Sequence, residues 1–215
     1  WPFPVLYRVV DGAVPGKVLA ADDLSLLDPF VRAAQELVSA GVRAITTSCG
    51  YLAVYQRELS AALDVPVLTS SLLQVPQAAQ LVGAGRRVGV LTVRDMLTER
   101  HFTGVGWSST DVPVVVRALE PETTFARLHA PLGEPEPVET DSGRLTDEVV
   151  AAALGLLDDE PSVGAFVMEC TNLVPYSQAV RRATGLPVLD HYTLVMHASR
   201  ALLGHEFAPG SPPWG

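Results

Sequence analysis

A chain of 215 residues has room for one large domain or two small ones with real cores. With 48% hydrophobic and 18% charged residues it reads as globular rather than disordered. Its formal net charge of -9 argues against nucleic acid and anionic membrane surfaces as partners, because both call for a basic patch. A small anionic substrate stays compatible, since backbone dipoles at a helix start can hold one carboxylate locally. No apolar run approaches the ~20 residues of a membrane-spanning helix, and no secretory signal is visible, although the sequence opens at Trp1 rather than Met. A cytoplasmic location is the expectation. Two cysteines are too few for a disulfide scaffold, and one disulfide between them would need an oxidising compartment.

Short apolar runs predict buried strands at residues 5–10, 44–48, 65–68, 88–93, 114–119, 165–168 and 186–189. Amphipathic patterns predict helices over 29–40, 52–62, 72–82, 147–157, 175–183 and 192–203. Continuous apolar strands alternating with helices imply an α/β protein with parallel sheets covered on both faces. Residues 131–142, rich in Pro and Glu, read as an exposed loop, and 209–215 as an irregular tail.

The sequence repeats itself. Shifted by 121 positions, residues 41–74 lie on 162–195 without a gap, and ten of the 34 pairs are identical. Chance would give about two at usual residue frequencies. The identities include Cys49/Cys170, Leu52/Leu173, Tyr55/Tyr176 and the Pro-Val-Leu run 66–68 on 187–189. The period is too long for a solenoid, whose units run about 20–50 residues. It predicts two α/β domains related by a pseudo-two-fold axis: 1–85, and 86–195, with helix 192–204 packing back on the first and 205–215 as tail. The second unit opens with a strand at 86–93 before 113–119. The first begins directly at 4–10, which matches 113–119. The counterpart of 86–93 is missing, so either about 15–25 further residues precede Trp1 in the natural protein or one sheet position is empty.

Each cysteine ends a strand and begins a helix, at the carboxyl edge where open α/β sheets place ligands. The free N–H groups and dipole of that helix start would favour a thiolate and hold a substrate carboxylate. Gly50 permits close backbone approach. A lone Cys at a strand end reads as a small buried hydrophobe. Two at equivalent points of a duplicated unit read as chemistry, one sulfur on each side of a shared cleft. One would take a proton from a carbon next to a carboxylate and the other would return one. The backbone N–H groups would stabilise the enolate. This acid–base step needs no metal and no organic cofactor.

At TTSCGYLAVYQ (46–56) and ECTNLVPY (169–176), with PVLTSSLLQ (66–74) and PVLDHYTL (187–194), the chain resembles the aspartate/glutamate/hydantoin racemase superfamily. The likeness runs over most of the chain. It implies two flavodoxin-like domains, an interdomain active site and a two-base mechanism without pyridoxal phosphate. The superfamily includes maleate isomerase, which keeps both cysteines, and arylmalonate decarboxylase, which keeps only the second. Classical amino-acid racemases follow the first Cys with Asn-Thr, whereas Gly50 and Tyr51 stand here, so the amino-acid label does not carry over.

The function expected is a racemase or isomerase acting on a small carboxylate-bearing substrate, with Cys49 and Cys170 catalytic. Ser48, Gly50, Tyr51, Thr171 and Asn172 flank them as substrate-binding candidates. Thr92 and Arg94, at the end of the strand over 88–93, are further candidates, the latter for pairing with a second carboxylate. Ser70, Asp190 and His191 follow the Pro-Val-Leu strands as binding groups or helix caps. The remaining histidines, at 101, 129, 197 and 205, show no metal spacing, and Tyr55 and Tyr176 read as packing residues. A cis-trans isomerase or lyase using one cysteine is the alternative enzyme. A non-catalytic acid-binding module is the alternative of another class. A homo-oligomer is compatible with all three.

Overall fold

The computed structural model describes residues 1–19, 24–129 and 140–204. Most of the loop expected over 131–142, His205 and the tail 205–215 lie outside them. The described elements run α1 (Pro15–Val18), α2 (Leu27–Ser39), β1 (Ile45–Thr46), α3 (Gln56–Ala62), β2 (Val67–Leu68), α4 (Val75–Val82), β3 (Arg87–Thr92), α5 (Glu99–Gly104), β4 (Val114–Ala118), α6 (Thr124–His129), α7 (Ser142–Asp159), β5 (Val163–Met168), α8 (Ser177–Thr184), β6 (Val188–Leu189) and α9 (His191–Leu203). Tight 3-10 turns over Gly50–Tyr55, Ser71–Gln74 and Thr171–Tyr176 lead into α3, α4 and α8.

Every described strand pairing is parallel. β1 pairs with β2, and the second sheet has the order β4-β3-β5-β6. Residues along β3 and β5 alternate between two cores, as the two-residue period of a strand requires. Leu91, Phe166 and Met168 face Phe125, Val149, Leu156 and Val180. Val88, Val90, Ala165 and Val167 face Leu72, Ala78, Phe102 and Trp107 on the other side. A third cluster joins Ile45, Leu52, Tyr55, Leu59 and Val67 of the first unit. Tyr55 packs on Phe30 and Tyr176 on Phe125, which bears out their reading as packing residues.

The duplication is visible in three dimensions. The 3-10 turns Gly50–Tyr55 and Thr171–Tyr176 stand 121 positions apart, as do β2 and β6. One expected strand does not form. Residues 5–10 form no strand, with Tyr7 and Val9 each 81% exposed. The sheet order supplies the reason. Their counterpart β4 bonds only to β3, and among the described residues no strand takes the place of β3 beside β1. An apolar run without a neighbouring ladder has nowhere to place its backbone hydrogen bonds. Between this segment, β1, α2 and α9 runs a groove of about 1030 Å³ that reaches Cys49.

Phe166 is fully buried in the middle strand pair. Phe166→Ala should cost about 3–5 kcal/mol of unfolding free energy, read by urea denaturation, with an unchanged far-ultraviolet spectrum at low denaturant.

Candidate active site

Cys49 and Cys170 occupy the same place in their units, as N-cap residues in extended backbone ahead of a 3-10 turn. That geometry turns the following N–H groups back toward each sulfur. The Tyr51 and Leu52 N–H groups oppose the rise of the Cys49 thiol, and the Asn172 and Leu173 N–H groups that of Cys170. Neither side chain accepts a capping hydrogen bond, however, and the Leu52 and Leu173 N–H groups bond the cysteine carbonyls at 3.2 and 3.0 Å. Both residues are half-buried free cysteines, so no disulfide joins them.

The two loops abut. The Thr171 hydroxyl donates to the Ser48 carbonyl at 2.6 Å. Gly50 lies so close to Glu169 that a Cβ there would stand 2.3 Å from both its carbonyl oxygen and Oε1. The Ser71 hydroxyl, from the third turn, donates to the Met168 carbonyl at 2.6 Å. Residues far apart in sequence thus converge on the bond between Glu169 and Cys170.

The expected thiolates are not what the resting site holds. Burial pushes the Cys49 thiol up to about 12, the Glu169 carboxyl adds to the rise, and the Tyr51 and Leu52 N–H groups only partly oppose it. Cys170 is raised by burial first and Glu169 second, with the Asn172 N–H opposing and the neighbouring Cys49 adding to the rise. Desolvation outweighs the oriented amides because both sulfurs have lost most of their water.

Glu169 is the residue that the sequence does not announce. It is fully buried at the end of β5. Its Oε2 lies 2.7 Å from the Thr92 hydroxyl, and its Oε1 has no hydrogen-bond partner. Burial raises it to about 7, against the lowering effect of Thr92. The available signal was a single acid closing the apolar run VGAFVM, at the position where the first unit has Ser48.

Tyr51 and Thr92 belong to this cluster. The Tyr51 hydroxyl lies 3.1 Å from Thr92 Oγ1 and donates to the Arg94 carbonyl at 2.6 Å. Arg94 sends its guanidinium to the Ala126 carbonyl at 3.4 Å. Asn172 is exposed beside Cys170. The remaining candidates are structural in part. Ser70 caps the turn Ser71–Gln74 by accepting from the Leu72 N–H. Asp190 caps α9, accepting from the Thr193 N–H at 2.8 Å. His191 lies on the groove wall with its Nε2 3.0 Å from Thr46 Oγ1. The Thr46 hydroxyl already donates to the Leu68 carbonyl, so Nε2 is the protonated nitrogen and the buried Nδ1 is left unpartnered. Ser48, Cys49 and Thr171 line the same groove.

A parallel α/β unit repeated around two equivalent cysteine turns defines a class, and comparisons with known proteins bear on which. Among solved structures, arylmalonate decarboxylase superposes with a TM-score of 0.59 at 18% identity, covering 86% of this chain and 80% of that one. A glutamate racemase of Bacillus anthracis gives 0.54 at 16%, covering 85% and 67%. Allantoin racemase of Pseudomonas fluorescens gives 0.52 at 17%, covering 85% and 73%. The chain therefore has the racemase and decarboxylase fold, with its two flavodoxin-like domains, to which the cysteine motifs pointed.

In sequence the chain is similar to a dimethylsulfoniopropionate lyase of Durusdinium sp. clade D, 30% identical over 200 residues covering 87% of this chain and 62% of that protein. It is similar also to dimethylsulfoniopropionate lyase 7 of Emiliania huxleyi (strain CCMP1516), 31% identical over 210 residues covering 89% and 57%. It spans about 60% of the length of these relatives. No family model matches the chain. Among the described residues, no helix is long and apolar enough to cross a membrane.

Because a side chain at position 50 would collide with the Glu169 backbone, Gly50→Ala should push the two cysteine loops apart. The expected result is a loss of about 1–3 kcal/mol in denaturant titration, with faster modification of both thiols by a small alkylating reagent.

Proposed function

We propose that the chain is a lyase that removes the proton from the carbon next to a carboxylate and expels a leaving group from the neighbouring carbon. The observation that carries this is the similarity to dimethylsulfoniopropionate lyases along nearly nine-tenths of the chain. In that substrate the carbon next to the carboxylate bears the acidic hydrogen, and the next carbon bears a sulfonium. Loss of the proton forms the carbon–carbon double bond. The carbon–sulfur electron pair leaves on dimethyl sulfide, and acrylate remains.

One cysteine sulfur, as thiolate, takes the proton, and the other closes the opposite side of the site. The amides that follow Cys49 and Cys170, with Ser48, Thr171 and Asn172, hold the substrate carboxylate and the enolate charge. The contact between Thr171 and Ser48 supports this reading, because it brings both cysteine loops to one place. A second reading is a racemase or isomerase, favoured by the glutamate and allantoin racemases among the structural neighbours. The two share the proton step and differ in whether a leaving group departs.

Purified protein given dimethylsulfoniopropionate in deuterated buffer should release dimethyl sulfide, read by headspace gas chromatography, and acrylate, read by proton NMR. Cys49→Ser and Cys170→Ser should each lower kcat/KM by about 10²–10⁴-fold. Deuterium entering a panel of small acids next to their carboxylate, with no elimination, would replace the lyase by the isomerase. Tight binding of an acid with neither exchange nor turnover would leave a binding module.

A further inference from the structure

The relay through Glu169 has three contacts to fill: Glu169 Oε2 to Thr92 Oγ1 at 2.7 Å, Thr92 Oγ1 to Tyr51 Oη at 3.1 Å, and Tyr51 Oη to the Arg94 carbonyl at 2.6 Å. A carbonyl cannot donate, so the Tyr51 proton goes to Arg94. The single Thr92 proton then fills either of the other two contacts, never both. With Glu169 ionised one contact is left without a proton, and half of a fully buried carboxylate, Oε1, has no partner. With Glu169 protonated its own hydrogen goes to Thr92, the Thr92 hydrogen goes to Tyr51, and all three contacts are made. The unpartnered Oε1 is then a neutral carbonyl oxygen, which costs far less to bury.

The titratable groups facing this carboxyl are Cys49 and Tyr51 from the first cysteine turn and Cys170 from the second. Thr92 from β3 contributes a hydroxyl, and Ser71 from the turn before α4 bonds the backbone on either side of it. Next to Tyr51 stands the buried His101 ring, edge-on at 5.4 Å, which burial drives down to about 4 and so keeps neutral. Arg94 spends its guanidinium on the Ala126 carbonyl.

We propose that Glu169 governs the ionisation of the cysteine pair: as a neutral acid on this relay it permits a thiolate beside it, and as a carboxylate it holds both thiols protonated. This rests on the reading of Cys49 and Cys170 as the reacting groups, with Glu169 acting through them as a positioning residue. When a thiol ionises while Glu169 is charged, the S–H bond breaks, a carboxyl O–H bond forms, and the site keeps one negative charge. The carboxylate–thiol state and the acid–thiolate state therefore hold equal numbers of protons, and their ratio does not change with pH. Thiolate content rises with pH only until Glu169 becomes charged, near 7, and is flat above it. With Gln at position 169 the amide can donate to Thr92 as the neutral acid does, no competing charge forms, and the thiolate continues to rise.

The test needs no substrate, so its failure is separate from failure of the proposed reaction. Alkylation rates of Cys49 and Cys170 by iodoacetamide are measured from about pH 5 to about pH 9, each site resolved by peptide mass spectrometry. In the unaltered protein the rate should climb about tenfold per pH unit, break near 7 and level off. In Glu169→Gln the break should vanish, leaving the thiols about 10–100-fold more reactive at the alkaline end. Parallel profiles in the two proteins would overturn the proposal. Circular dichroism checks that the variant folds. If it does not, Thr92→Val keeps the carboxyl but removes the partner that lowers it, and the break should move to higher pH. A break that stays in place would equally overturn the proposal.

Discussion

Everything at the site depends on two loops from different halves of the chain sharing one small volume. The Thr171 hydroxyl bonds to the Ser48 carbonyl, and Gly50 lies on Glu169 with no space for a side chain between them. The contact is polar at one point and steric at the other, so it sets both distance and orientation. It also removes water from the sulfurs. Without the opposing loop each cysteine turn would be an ordinary helix start facing solvent, where the following amides would favour a thiolate.

Desolvation then decides the chemistry. Two half-buried thiols beside one fully buried carboxyl cannot all be charged at low cost. On the proposed relay the site holds a single negative charge, and the question becomes which group carries it. Such a device suits a proton abstraction better than a permanently charged base would. In the proposed reaction the thiolate would stay a minor form until needed, and a basic group with a high intrinsic affinity for protons is what a weakly acidic carbon requires. Loss of a sulfide leaving group and return of a proton on the opposite face are two fates of the same enolate. One fold can therefore serve more than one outcome, set by the groups the substrate carries and by which cysteines the site keeps.

Much of this was legible in the sequence. The alternation of apolar runs and amphipathic stretches marks β3, β4, β5, α2, α7 and α9 because each buries a face of its own periodicity. The internal repeat places Cys49 and Cys170 at equivalent points, and the turns behind them coincide across the repeat. The short helices α5 and α6 escape a periodicity reading because six residues hold less than two turns. Asp190 and His191 read equally as site residues or caps; Asp190 caps α9, as Ser70 caps the turn Ser71–Gln74.

The type of the longer elements and the equivalence of Cys49 and Cys170 across the repeat were determined by the sequence itself, because local periodicity and a repeated motif are properties of a one-dimensional string. The tertiary structure decided what depends on long-range neighbours. Residues 5–10 have the composition of a strand, yet a strand exists only where another backbone offers hydrogen bonds, and none of the described residues does so there. Glu169 has the composition of a surface acid, yet Thr92, Tyr51 and Gly50 close over it from segments about 80–120 positions away and leave it without water. The protonation state of the cysteine pair follows from that burial, which no spacing of residues along the chain records.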